Sequence, residues 1–211
     1  VFQTGDGRLV VIHDATTARV GDRDLRVGQT DYAELAKVDV ACGLRKQLKL
    51  DRQKCPPARI PTLEEVLRLV IAQDEVRLSI QPKDGSTAEV VKLIQRLGAE
   101  AWVGFNDGDL KKMILVKKLA PQIPVFWDRP AGCDPARDVP IALRHGFEAL
   151  VIHHSGVTRA KVDSLRAAGL EPGAWTVNEA AEMRRLLELG VQRIYSDDPA
   201  VLMRVKKELE R

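Results

Sequence analysis

The chain has four histidines, at His13, His145 and the adjacent pair His153-His154. An imidazole takes up or releases a proton near neutral pH, which suits it to general acid or base work. His13 closes an apolar run, Leu9 to Ile12, and directly precedes Asp14. Taken by itself it reads equally well as a loop histidine. His153-His154 ends a second apolar run, where two imidazoles could hold a transition metal. Successive strand residues point to opposite faces, however, and no carboxylate or cysteine stands at ligand spacing, so the pair reads as polar residues at a rim. Asp107-Gly108-Asp109 and Asp197-Asp198-Pro199 pair carboxylates, yet a turn and a helix cap account for each. Cys42, Cys55 and Cys133 are odd in number and lack a CxxC spacing. They read as free thiols, neither a disulfide framework nor a zinc site.

The elements that must position these groups alternate from residue 61 onward. Thr62 and Glu65 form a capping box, and Leu63, Val66, Leu67, Val70 and Ile71 follow helical spacing. Val76 to Ile80 reads as a strand. Ser86 with Glu89 predicts a second capping box, and Gly98 a left-handed helix end. Strands are then expected at 101–105, 123–127, 149–153, 172–177 and 193–196. Helices are expected at 109–119, 135–145, 158–168 and 179–189, with a last one capped by Asp198. Such alternation implies parallel strands with crossover helices, in an open doubly wound sheet or a closed (β/α)8 barrel. No GxGxxG or GxxxxGK[ST] follows a strand, which removes the usual phosphate signatures of the open sheet. Polar residues collect at strand C-terminal ends: Gln81 and Lys83, Asn106, Asp128, His153 and His154, Asn178, Asp197. A barrel keeps its active site there, although an open sheet would have polar groups at the same edge.

Residues 1–60 break the pattern. Val1 to Thr4 and Leu9 to His13 read as a hairpin turned by Gly5-Asp6-Gly7. The segment 14–60 is charged and irregular, with a helical turn expected at 31–37. A connection of that length inside a domain is more often functional than plain.

Composition narrows the function. Over 211 residues, 45% are hydrophobic and 30% charged, the balance of a globular domain rather than a disordered or collagen-like chain. A net charge of +3 and 4% aromatics give little basis for nucleic-acid binding. No apolar run approaches the ~20 residues of a membrane span. The lysine pairs Lys111-Lys112, Lys117-Lys118 and Lys206-Lys207 read as solvated helix surface. There is no initiator Met and the chain opens on a strand, so its true N-terminus is expected upstream.

Several segments match a known family in order. They are Thr4 to Asp14 with Arg19; Thr30 to Leu35 with Asp39; Ile60 to Leu67; Trp175-Thr176-Val177-Asn178; and Gly190-Val191 through Ser196-Asp197-Asp198-Pro199. This series resembles the glycerophosphodiester phosphodiesterase family. The resemblance implies a TIM barrel that cleaves a small glycerophosphodiester into glycerol 3-phosphate and an alcohol, using Mg2+ or Ca2+ and two histidines. A cation neutralises phosphate oxygens while an imidazole moves the proton. On this reading the chain is one barrel domain, 1–211, lacking the first strand and helix and carrying an irregular insertion at about 14–60. A full barrel takes ~250 residues, and the strand-like runs number seven with that at Val1.

The resemblance assigns His13 to the second family histidine. The first, in a His-Arg motif, and a Glu-x-Asp pair of metal ligands have no counterpart and would lie at or before Val1. Where the family has Glu-x-Lys, this chain has Gln81-Pro82-Lys83. Lys83 then contacts phosphate, and Gln81 takes a metal-ligand position with a neutral oxygen that weakens the site. Trp175 and Asn178 belong beside the glycerol moiety, or else are a packed aromatic and a helix cap. Residues 1–211 alone are expected to have little activity. The alternative is a catalytically silent member that binds a phosphorylated ligand or serves as an interaction domain, because Gln81 replaces the carboxylate.

Overall fold

The computed structural model describes residues 1–73 and 75–210. The chain divides into two compact units, Val1–Val103 and Gly104–Arg211.

In the first unit, β1 (Phe2–Gln3) pairs antiparallel with β2 (Leu9–Val10). The expected hairpin forms but is short. Its turn closes through Thr4 N–H to Arg8 O at 2.8 Å and Gly7 N–H to Thr4 O at 3.0 Å. Gly7, at φ 82°, takes the left-handed conformation that side chains resist. Helix α1 (Tyr32–Leu35) fills the expected helical turn, whereas α2 (Cys42–Leu48) has no apolar periodicity to announce it. Val10, Val27, Leu35 and Ile60 bury a small core beneath these pieces, with Phe2, Ile12 and Tyr32 packed against it. The insertion is therefore irregular in secondary structure but has its own apolar centre.

Helix α3 (Leu63–Gln73) starts on the expected capping box. Glu65 N–H donates to Thr62 Oγ1 at 3.2 Å, and Thr62 N–H donates to Glu65 Oε2 at 2.9 Å. Strand β3 spans Leu78–Ile80, two residues shorter than expected because Val76 lies exposed ahead of it. Helix α4 (Thr87–Leu97) ends at Gly98 with φ 63°, as the sequence predicts. Its predicted capping box does not form. Ser86 makes no side-chain cap; its hydroxyl donates instead to Asp84 Oδ1 at 2.5 Å.

The second unit holds the alternation. Its strands are β4 (Val103–Asp107, beginning one residue before the division), β5 (Val125–Arg129), β6 (Ala149–His153), β7 (Glu171–Trp175) and β8 (Arg193–Ile194). They hydrogen-bond in chain order, every pair parallel. The crossovers are α5 (Leu110–Leu119), α6 (Pro135–His145), α7 (Arg159–Ala167) and α8 (Ala180–Glu188), with α9 (Pro199–Leu209) last. Asp109, Asp134, Thr158 and Asp198 each accept first-turn N–H groups of their helices, a contribution of about 1 kcal/mol per cap. Two strands start later than expected. Glu100–Trp102 form a 3-10 turn ahead of β4, and Ile123 N–H bonds back to Ala120 O ahead of β5. Two lysines read as solvated are partly covered. Lys117 keeps only 9% of its side chain exposed and meets Glu148 at 2.5 Å, while Lys112 reaches Asp107 at 3.4 Å.

Candidate active-site residues

In the first unit, the chain leaves β2 extended alongside residues 60–62. Val10 bridges Thr62, and Val11 N–H donates to Pro61 O at 3.0 Å. This rail delivers His13 exposed at its end. His13 Nδ1 lies 2.6 Å from Asp14 Oδ1, and Arg19 Nε donates to Asp14 Oδ2, also at 2.6 Å. The Arg19 hydrogen bond first, and the His13 contact second, pull the Asp14 carboxyl down to about 2. An ionised carboxylate can only accept, so Nδ1 carries the ring proton and Nε2 of the neutral ring is left as the acceptor.

Gln81 and Lys83 follow β3. The Val1 nitrogen donates to Gln81 O at 2.7 Å, and Lys83 N–H donates to Val1 O at 2.9 Å, so Val1 sits between them as in a parallel ladder. Gln3 N–H donates to Asp84 Oδ2 at 2.7 Å and fixes the same turn. Both side chains are half-buried. Neither shares a hydrogen bond with His13, whose partner is Asp14.

In the second unit, polar groups line the C-terminal ends of the strands as the sequence predicts. Asn106 donates to Asp128 across β4 and β5 at 3.0 Å. Trp175, at the end of β7, donates its indole N–H to Arg129 O at 3.2 Å and meets the His153 ring edge-on at 5.1 Å. Asn178 lies just beyond. Its Oδ1 accepts from Asp197 N–H at 2.9 Å and its Nδ2 donates to Asp197 Oδ2 at 2.8 Å. Asn178 is therefore not the cap of α8, which starts after Glu179 without a side-chain cap.

His153 and His154 correct the sequence reading. Their rings stack at 4.8 Å rather than facing apart, because the strand stops at His153 and a 3-10 turn, His154–Gly156, bends the backbone. Gly156 makes that bend possible, since a Cβ there would sit 2.1 Å from Ala131 O. His154 Nδ1 finds a carboxylate after all, Glu182 Oε1 at 3.2 Å, twenty-eight residues along the chain and beyond any ligand spacing legible in sequence. The Arg185 hydrogen bond chiefly holds Glu182 below the usual carboxylate range.

One positioning pair escaped the sequence. Asp138, fully buried on α6, accepts from Arg129 Nε at 2.8 Å and from Arg129 Nη2 at 3.2 Å. The Arg129 guanidinium also lies 4.1 Å over the Trp127 ring, and the Arg129 carbonyl is the one that receives Trp175. Nothing in the spacing of Arg129 and Asp138 marks them in advance.

The donors for a divalent cation are thin. Among the described residues no group of three or more His, Cys, Asp or Glu could hold a metal ion. Gln81 offers an uncharged amide oxygen where a hard cation favours carboxylates. These residues do not fit such an ion as they stand. The cysteines are free, and burial pushes the Cys133 thiol up, away from nucleophilic use.

Comparison with known proteins places the chain among relatives. A glycerophosphodiester phosphodiesterase of Caldanaerobacter subterraneus is 29% identical over 216 residues, spanning 97% of this chain and 83% of its own. A glycerophosphodiester phosphodiesterase structure from Agrobacterium tumefaciens superposes with TM-score 0.78 at 20% identity, over 95% of this chain and 82% of that one. A phosphodiesterase of Oleispira antarctica, solved in complex with the product sn-glycerol-3-phosphate, superposes with TM-score 0.81 at 23% identity, over 98% and 83%. Both likenesses show the fold of the strands and helices described above. Residues 1–201, from the β1–β2 hairpin to the first turn of α9, match one family throughout, and the chain belongs to the glycerophosphoryl diester phosphodiesterase family.

Proposed function

We propose that the protein hydrolyses glycerophosphodiesters, releasing glycerol 3-phosphate and an alcohol. The observation that carries this is the family match over residues 1–201, which takes in the segment holding His13, Asp14 and Arg19. The reaction breaks the phosphorus–oxygen bond to the alcohol and forms one to the attacking oxygen. A proton must therefore leave the nucleophile and one must reach the leaving alcohol. His13 moves a proton at Nε2, with Asp14 orienting the ring through Nδ1 and offsetting the imidazolium charge, and with Arg19 holding Asp14 in turn. The Lys83 ammonium, in the same unit as His13, binds a phosphate oxygen. The resemblance also implies Mg2+ or Ca2+; with Gln81 the donor on offer, no step is routed through it.

Glycerol 3-phosphate released from glycerophosphocholine and glycerophosphoethanolamine is the measurement. We expect release, slow in residues 1–211 as the sequence implies, and a further loss of about 100-fold or more in His13→Ala, the scale of general acid–base catalysis. No release from either substrate overturns the function. Full activity in His13→Ala overturns the role of that residue.

A further inference from the structure

We infer that α2 and the turn after it dock the protein on an anionic lipid surface. The inference is independent of the hydrolytic reading. Leu44 and Leu48, one helical turn apart, are 48% and 54% exposed. Large side chains half exposed to water at i and i+4 lie on one face of the helix. In the same stretch of chain Lys46, Lys49, Arg52 and Lys54 are all exposed. From Leu44 to Cys55 the one carboxylate is Asp51, and its Oδ1 is turned back onto Gln53 N–H and Lys54 N–H. Arg45, the remaining cation, is buried against Asp39 and Cys55 O, so it anchors the helix rather than adding to the surface charge.

Cations alone would be ordinary solvated surface. Exposed leucines beside them give the composition of an interfacial helix, where the apolar groups enter the lipid boundary and the ammonium groups meet anionic headgroups. Lys49 marks where the helix gives way to the turn. It ends α2 at φ 53°, and it is the one non-glycine residue at positive φ among the described residues. Glycine serves best there, so a lysine retains a strained backbone together with its charge. The helix is also tied to the candidate catalytic segment. Gly43 N–H donates to Val20 O at 2.8 Å, and a Cβ on Gly43 would lie 2.4 Å from Arg19 O. A surface that holds α2 therefore holds the strand of chain that carries Arg19 and Asp14.

Co-sedimentation with vesicles of phosphatidylcholine alone, and of equal parts phosphatidylcholine and phosphatidylglycerol, tests this. We expect binding to the anionic vesicles at least about tenfold tighter than to the neutral ones, collapsing in high salt. Leu44→Ser with Leu48→Ser should weaken anionic binding by about tenfold, and Lys46→Glu with Lys49→Glu should abolish the preference. Lys49→Gly separates charge from folding: its Tm should hold or rise while anionic binding falls. Absence of binding, equal binding to both vesicles, or unchanged binding in Lys49→Gly or in the double serine variant overturns the proposal. So does self-association that the serine variant abolishes while vesicles stay unbound, since that assigns the leucines to a second copy of the chain. Hydrolysis of soluble glycerophosphocholine is expected to be unchanged in every variant, so failure here leaves the proposed activity standing.

Discussion

His13 owes its tautomer to its neighbour. Asp14 is ionised across the working range because Arg19 and His13 both bind it, so the imidazole is oriented before any substrate arrives. Asp14→Asn removes the charge while keeping a polar side chain. We expect release of glycerol 3-phosphate to fall to a rate between those of wild type and His13→Ala, with the limb of the pH–rate profile that reports the imidazole moving to lower pH. An unmoved profile would reduce Asp14 to a structural role. Gln81 invites the opposite manipulation. Gln81→Glu adds the negative charge a hard cation prefers, and titration calorimetry should then show Mg2+ or Ca2+ affinity rising by about tenfold. Affinity equal to wild type would remove Gln81 from the ligand position.

At the scale of the elements, β5 and α6 are joined by a charge pair inside the protein. Asp138 is fully buried and bound through both oxygens, so Asp138→Asn leaves the Arg129 guanidinium without its counter-charge. The expected cost is about 3–5 kcal/mol in urea unfolding, the range for breaking a buried pair. Tryptophan emission should shift as well, because Arg129 contacts Trp127 through its side chain and Trp175 through its carbonyl. A loss under about 1 kcal/mol would mean the pair behaves like a surface one. Which elements could be foreseen follows from the same physics. Helices with an apolar stripe and a capping residue, such as α3 and α6, are legible because both signals are local. The Ser86 box is misread because Asp84, two residues back, competes for the same hydroxyl. Helix α2 is missed because its buried face is an ion pair, Arg45 with Asp39, which hydrophobic periodicity does not register. The candidate site divides likewise. Its residue types at strand ends can be read from sequence, whereas Arg129–Asp138 and His154–Glu182 depend on pairings the chain reveals only when folded.

For the molecule as a whole, acid should weaken the fold. Asp14 and Glu65 both titrate at about 2 when folded, well below their ordinary values, because arginines bind them. A depressed carboxyl pKa stabilises the fold above its unfolded value and loses that contribution as pH falls through the folded one. The urea midpoint should therefore hold from neutrality to about pH 5 and drop between about pH 4 and 2. The net charge of +3 becomes more positive over the same interval and adds repulsion. Asp14→Asn with Glu65→Gln should flatten the drop, and an identical pH dependence in that variant would contradict the assignment. Both carboxylates lie within the residues 1–201 that match the family.

The Asn178 amide has one further consequence, for the chemical ageing of the protein. It serves Asp197 at both ends, accepting from the backbone and donating to the carboxylate, and Asp198, next in sequence, begins the last helix. Hydrolysis of that single amide would exchange a donor for a second negative charge facing Asp197. A gain of less than one mass unit would thus turn a clasp into a repulsion, and the last helix of the chain would record the protein's age.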